Sequence, residues 1–440
     1  MERHRYDFVS PTARPNRRSN SHSKRLASLC KETVSEEPLK FQPNRLSLFN
    51  HVFKRELHGK NEKPIKSIVS KHLSAAMPTL LREHELDLGE VNKVFAAQWI
   101  SDSLVVMGSK CNKILIKDVY TNETILIPTI DSTGRTEAPD CSCGIHAISL
   151  NPSKTLLATG AEHTNDLGVY RLPSFDPVYL GERGHSDWIF DLTWVDDEYC
   201  VTGSRDSKLA LWKIVDEGED EQGMDIDTDD SLYSSLRLPS HQIREPEAVK
   251  RIPQADKIRA LAYNSNSMEL GVLSMDSRIH TIDVCNFQTT ASEQLQYSRE
   301  TVCLAYDYSK QVYAVGSQSH VTLMDRDLKP VLNIEALKKG CGIRSLSFNE
   351  NIVTIGTGVG SVLFYDMNAG KYLHCTCGHI CELNTGDGYL LLDSWRDNLS
   401  ASERHNAIYT HCYDDTGSRL FTAGGPLPAN LIGNYAGIWQ

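Results

Sequence analysis

No apolar run in this sequence approaches the roughly 18 residues that a bilayer-spanning helix needs. The opening stretch, MERHRYDFVSPTARPNRRSNSHSKR, lacks the apolar core of a secretory signal, so secretion is not expected. Enzyme signatures are missing too. There is no P-loop, no G-x-S-x-G and no H-E-x-x-H. The run Gly356-Thr357-Gly358-Val359-Gly360 looks superficially like a phosphate loop. It sits between two strand patterns with no helix after it, so it reads as a tight turn. The remaining His and Asp residues mostly fall at repeated structural positions, and no catalysis is expected.

Cysteine is present, with 12 residues, but not in a disulfide pattern. Cys200, Cys303 and Cys412 lie inside apparent strands, as reduced thiols of a cytosolic or nuclear protein would. One group stands apart: His374, Cys375, Cys377, His379 and Cys381. C-x-C-x-H-x-x-C is not a standard structural zinc spacing, and no second knuckle follows. A chance cluster in a loop is the favoured reading, and no metal or cofactor is expected.

The chain has 440 residues, 46 Lys+Arg and 57 Asp+Glu, for a net charge of −11. That excludes a globally basic nucleic-acid binder. The charge is uneven. Residues 216–230 hold nine acids and no base, and residues 1–31 hold eight bases against two acids. Without these two segments the rest carries −8.

An internal repeat decides the fold class. Its clearest unit is GHSDWIFDLTWVDDEYCVTGSRDSKLALWKI, residues 184–214. A Gly-His pair precedes an alternating strand, then a second strand, a Ser-Arg-Asp turn and a third strand ending Leu211-Trp212-Lys213. This unit resembles a WD repeat, with Lys213 in place of the final Asp. The resemblance implies that His185, Thr202, Asp206 and Trp212 form a buried structural network. Six weaker copies surround it, with third strands ILIKDV, LGVYRL, IHTIDV, VTLMDR, VLFYDM and AGIWQ. Lys117, Tyr170, Ile282, Met324, Tyr365 and Trp439 align with Trp212. The reading is all-β: a seven-bladed WD-repeat β-propeller over 85–440, with insertions at 215–250 and 371–405.

The seventh unit ends after its third strand, which would leave an unpaired edge. The alternating stretch Glu85-Leu86-Asp87-Leu88-Gly89 lies just before the first unit and can supply the missing strand. Ahead of it, residues 45–84 read as a helix-loop-helix extension. Leu46, Phe49, Val52, Phe53 and Leu57 fall at helical spacing, as do Ile65, Ile68, Val69, His72, Leu73 and Ala76. Residues 1–44 read as a disordered basic tail.

Equivalent positions of different blades share a height around the axis. First-strand starts give Lys93, His146, Trp188, Arg259, Thr301 and Arg344, with Lys257 two residues before Arg259. Turns between second and third strands give Lys110, Glu162, Arg205, Met275, Gln318 and Gly358. Six bases (Lys93, Lys110, Arg205, Lys257, Arg259 and Arg344) therefore converge on one mouth against one obvious acid. Such a mouth suits a compact anion. An acidic peptide end, a phosphopeptide and an inositol phosphate all qualify, as does internal pairing in a plain scaffold.

The strings CGIHAI, NPSKTLLATG, GHSDWIF, AVGSQSHV and GPLPANLIGNYAGIW resemble the DDB- and cullin-4-associated factor twelve family. These are WD-repeat substrate receptors of cullin-4 RING E3 ubiquitin ligases. The resemblance runs from about residue 45 to the end. It implies two partners: the large subunit of the damage-specific DNA-binding protein, which is the ligase adaptor, and cullin-4 with its RING subunit. It implies docking through the helix-loop-helix, and substrates with acidic, di-Glu-type C-termini bound in the basic mouth. The W-D-x-R motif of many such receptors is not matched, since Trp212-Lys213 lacks the Asp and Met324-Asp325-Arg326-Asp327 lacks the Trp. No direct nucleic acid or membrane contact is expected. The expected location is cytoplasm and nucleus, with the centrosome as a further site.

Overall fold

The computed structural model describes residues 73–133, 143–215, 241–338, 342–375, 377–391 and 405–440. The basic tail, most of the helix-loop-helix, the acidic segment 216–230 and residues 392–404 lie outside the described residues. Residues 73–76 are helical and pass into a 3-10 turn at Met77–Thr79, where Pro78 fits the first turn.

Among the described residues, thirty-one strands, β1 (Glu83–Glu85) to β31 (Gly433–Trp439), form seven antiparallel-cored sheets. Six blades are consecutive along the chain. They begin with Val94–Trp99, Ile148–Leu150, Ile189–Trp194, Ile258–Asn264, Cys303–Asp307 and Ile343–Asn349. The seventh joins both ends of the fold: Asn406–Tyr413, Leu420–Pro426, β31 and then β1. Glu83 pairs with Trp439 and Glu85 with Gly437.

The closing strand thus lies two residues ahead of the expected one. Leu86 and Leu88, expected to alternate within it, are instead buried between blades seven and one. Their side chains fill a seam, so the edge pairing falls on the polar residues before them.

Two stretches expected as loop insertions contain strands. Within 215–250, Ala248–Arg251 is the outer strand of blade three, and Gln242–Arg244 adds parallel to the outer strand of blade two. Within 371–405, Lys371–Tyr372 and Glu382–Asn384 both pair with the third strand of blade six. The Cys/His group is the excursion between them. Cys375 N–H donates to His379 O, while the Cys381 thiol is buried and donates to Pro78 O. Among the described residues, no group of three or more His, Cys, Asp or Glu is placed to hold a metal ion.

The core is seven apolar seams, one between each pair of neighbouring blades. Trp212 and the six residues aligned with it are all buried, and all but Lys117 lie in these seams. In blade three the Trp212 indole N–H donates to Thr202 Oγ1 at 2.8 Å. Thr202 Oγ1 lies 2.7 Å from His185 Nε2, and His185 Nδ1 lies 3.3 Å from Asp206. Trp can only donate and the carboxylate only accept, so the chain of bonds runs from Trp to Asp. The ring of Trp212 needs Gly184 beside it, where a Cβ would stand 2.5 Å from the indole.

Blade seven repeats the device with other residues. Trp439 donates to Thr422, Thr422 meets Tyr435, and Tyr435 donates to Glu83 of the closing strand. In blade one, Lys117 stands in the Trp position, 1% exposed. Its ammonium spends all three donors on Asp87 O, Asn122 O and Thr124 Oγ1, at 2.6–2.9 Å.

Candidate anion-binding mouth

First strands line the axis of the ring, and in five blades that strand carries a β-bulge near its start. The bulges fall at Phe95, Phe190, Arg259, Arg344 and Tyr409. A bulge inserts one unpaired residue and re-aims its side chain. Here it turns each of the five into the channel. With His146 and Val302 they form a throat, one residue per blade, around a cavity of about 260 Å3.

The throat is aromatic on one side and cationic on the other. Phe95 stacks on His146 at 4.4 Å between ring centroids and meets Tyr409 edge-on at 5.3 Å. His146 meets Phe190 edge-on at 5.0 Å, and the Arg259 guanidinium lies 5.0 Å over Phe190. Burial holds the His146 imidazole well below its usual value, and the positive charges of Arg259 and Lys110 push the same way. His146 is therefore neutral here and acts as an aromatic ring.

A wider rim sits above the throat. In five blades a backbone bond ties the turn between second and third strands to the start of a first strand, as Lys110 N–H does to Lys93 O in blade one. Arg205 N–H donates to Trp188 O, Met275 to Lys257 O, Gln318 to Arg299 O and Gly358 to Gly342 O. The two sets of positions therefore do share one face.

The six expected bases occupy different tiers. Arg259 and Arg344 are in the throat. Lys93, Trp188 and Lys257 stand two residues earlier in the repeat, at the rim, together with Glu300. Treating Lys93 and Trp188 as level with Arg259 misses the bulge register. Lys93 is 2% exposed, and its ammonium donates to Pro428 O at 2.7 Å. Burial, then the charge of Lys110, pulls it down to about 8. Lys110 donates to Ala429 O at 3.2 Å. These two lysines anchor the turn of blade seven across the seam to blade one.

Arg205 lies 4.6 Å over the Trp188 ring and 3.5 Å from Asp187, and the neighbouring Asp206 carboxylate holds His185 and Lys208 instead. Arg344 pairs with Glu300 at 2.6 Å. Among the described residues no carboxylate lies within 4.0 Å of Lys257 or Arg259. Burial lowers the Arg259 guanidinium below its usual value, and Asp191 opposes that. Arg259, Arg205 and Lys110 all act on the Cys143 thiol, which burial pushes up to about 12. Arg259 and Arg344 act on Tyr409.

The structure adds residues that the repeat alignment passed over. Arg299 is an exposed base at the rim of blade five. Asp187 and Glu300 are acids beyond the single Glu162 counted from the alignment. The opposite face is acidic. Its turns carry Asp102, Asp196, Asp197, Glu198, Glu350 and Asp415, while Lys154, Lys310 and Arg419 there pair with Asp415, Asp307 and Asp414.

Fold and mouth together define the class: a closed seven-bladed propeller of WD-type repeats with a cation-lined central opening. Within that class, the family model described as "DDB1- and CUL4-associated factor 12 beta propeller" matches residues 77–440. The match covers more than four-fifths of the chain, and the chain belongs to that family.

Proposed function

We propose that this chain is the substrate-recognition subunit of a cullin-4 RING ubiquitin ligase, and that its mouth takes acidic C-terminal ends of the di-Glu type. Family membership supports the first half. The second half is carried by Arg259, a guanidinium held in the throat with no carboxylate within 4.0 Å among the described residues. An unpaired, half-buried fork of N–H donors is matched by a carboxylate. Two glutamate side chains and a terminal carboxylate bring about three negative charges to the rim and throat cations. Each well-formed charge-assisted bond contributes about 1.5–3 kcal/mol.

The receptor binds and positions, and ubiquitin transfer is the work of the RING module. The segment before the propeller docks on the adaptor, and cullin-4 follows through it. Two measurements test this reading. Affinity purification of the full chain should recover cullin-4 and the adaptor. A peptide ending in Glu-Glu should bind, and R259E should abolish that binding while the protein stays folded; R344E should abolish it too, with a lower melting temperature because Arg344 also pairs with Glu300. Amidating the peptide terminus should weaken it at least tenfold. Equal affinity of acid and amide would end the end-recognition reading. Stronger binding of an inositol phosphate or phosphopeptide would reassign the mouth to phosphate.

A further inference from the structure

The ion pair between Arg344 and Glu300 has the form of a ligand contact made by the protein itself. Arg344 is a throat residue with a side chain 15% exposed, and Glu300 is a rim residue with a side chain 45% exposed. One guanidinium nitrogen, Nη2, meets Glu300 Oε2 at 2.6 Å. The Nε of Arg344 is buried with no hydrogen-bond partner among the described residues. Glu300 therefore satisfies one edge of the fork and leaves another donor idle, although a guanidinium can take a carboxylate through two parallel bonds. The backbone under Glu300 is left-handed, with φ 50°. Among the described residues its second oxygen is held by Gln318 Nε2 alone, at a long 3.3 Å. The carboxylate is the outer, more exposed partner and the arginine is the fixed one.

We propose that Glu300 is an internal stand-in for the ligand: it occupies Arg344 in the empty mouth and is displaced when an acidic chain end arrives. This inference rests on the reading that the mouth takes acidic ends. A carboxylate that reaches Arg344 exchanges one ion pair for another and gains little from the exchange alone. The gain comes from filling Nε and from contacts to Arg259, Lys257 and Arg299, which have no carboxylate partner among the described residues. Stray carboxylates and small anions that make only the Arg344 contact gain nothing. Glu300 thereby sets a threshold that multiply acidic ends clear. It also keeps a buried arginine from standing unpaired when the mouth is empty, a costly state.

The test compares wild type with E300Q, which keeps the side-chain shape and the Gln318 contact. Affinity for a Glu-Glu-ended peptide is measured by fluorescence anisotropy, and melting temperature is measured with and without saturating peptide. Displacement predicts that E300Q binds the peptide about three- to tenfold more tightly. It also predicts that free E300Q melts lower than free wild type, while the two saturated complexes melt together, because the bound state does not use Glu300. Unchanged or weaker binding overturns the inference, and so does a melting deficit that persists in the complex. Either result would make Glu300 a fixed support of Arg344. If wild type itself binds no Glu-Glu peptide, the reading of the mouth fails first and takes this inference with it.

Discussion

Thr202 shows how much can rest on one hydroxyl. It accepts from Trp212 and meets His185 deep inside blade three, at 0% exposure. Asp206 closes the chain of bonds. Burial alone would raise its carboxyl, but His185 and the N–H groups of Ser186 and Lys208 outweigh that and hold it at about 2. Replacing Thr202 with Val keeps the shape and orphans both Trp212 Nε1 and His185 Nε2. Each buried polar group left unmade costs about 1–3 kcal/mol. T202V should therefore lose at least about 2 kcal/mol in urea unfolding. A loss under about 0.5 kcal/mol would mean that the network carries no stability.

At the scale of the strand, much was legible and the bulge was not. Seven repeats, their third strands and the need for a closing strand follow from alternation and spacing alone. The height of each mouth residue does not, because a bulge adds a residue that hydrophobic alternation does not mark. A usable signal was nonetheless present. Every throat residue follows a buried β-branched one: Val94, Ile145, Ile189, Ile258, Thr301, Ile343 and Ile408. Aligning on that residue, rather than on the apparent strand start, puts Arg259 and Arg344 level with Phe95 and separates them from Lys93. Ion partners were harder to read. Glu300 and Asp187 precede their blades in segments where alternation has not begun, and they reach their arginines only once the ring is closed.

The closing strand yields a prediction at the same scale. Arg82 N–H donates to Gln440 O, Leu81 is buried, and the Cys381 thiol donates to Pro78 O. The ring's own structure therefore begins well before β1. Removing residues 1–72 should leave the melting temperature and peptide binding intact while adaptor binding is lost. Removing residues 1–85 should also strip Tyr435 and blade seven of their partners and lower the melting temperature sharply. Equal stability of the two truncations would contradict the strand assignment.

Across the whole molecule, the net charge of −11 misleads about the ligand. The ring separates its charge, with bases at the mouth and acids on the opposite face, so an acidic ligand is steered toward one end. Buried titrating groups set a second global property. His411 sits between Ser345 and Ser347, bonded to both, and burial pulls it down to about 4. Its folded value lies below its unfolded one. Between pH 6.5 and 4 the unfolded chain therefore takes up a proton that the folded chain refuses, and stability falls as pH falls. That single group accounts for about 3 kcal/mol across the window. His146 and His280 are lowered by burial and act in the same sense. Asp191, which burial pushes up to about 6, opposes them. H411Q should flatten the dependence of the urea midpoint on pH between 6.5 and 5. An unchanged slope would show that the folded protein takes up the His411 proton as readily as the unfolded chain does.

The pairing of Glu83 with Trp439 sets an order of events during synthesis. The strand that leaves the ribosome first among the propeller's strands must wait for the one that leaves last. At 5–20 residues per second, the roughly 350 residues between them take about 20–70 s to make. Throughout that time six blades can form with two open edges, and Glu83–Glu85 has nothing to pair with. Long-range closure of this kind is slow and exposes unpaired strand to other chains. A receptor built this way depends, for each copy made, on whatever shields the nascent edges until the circle is joined.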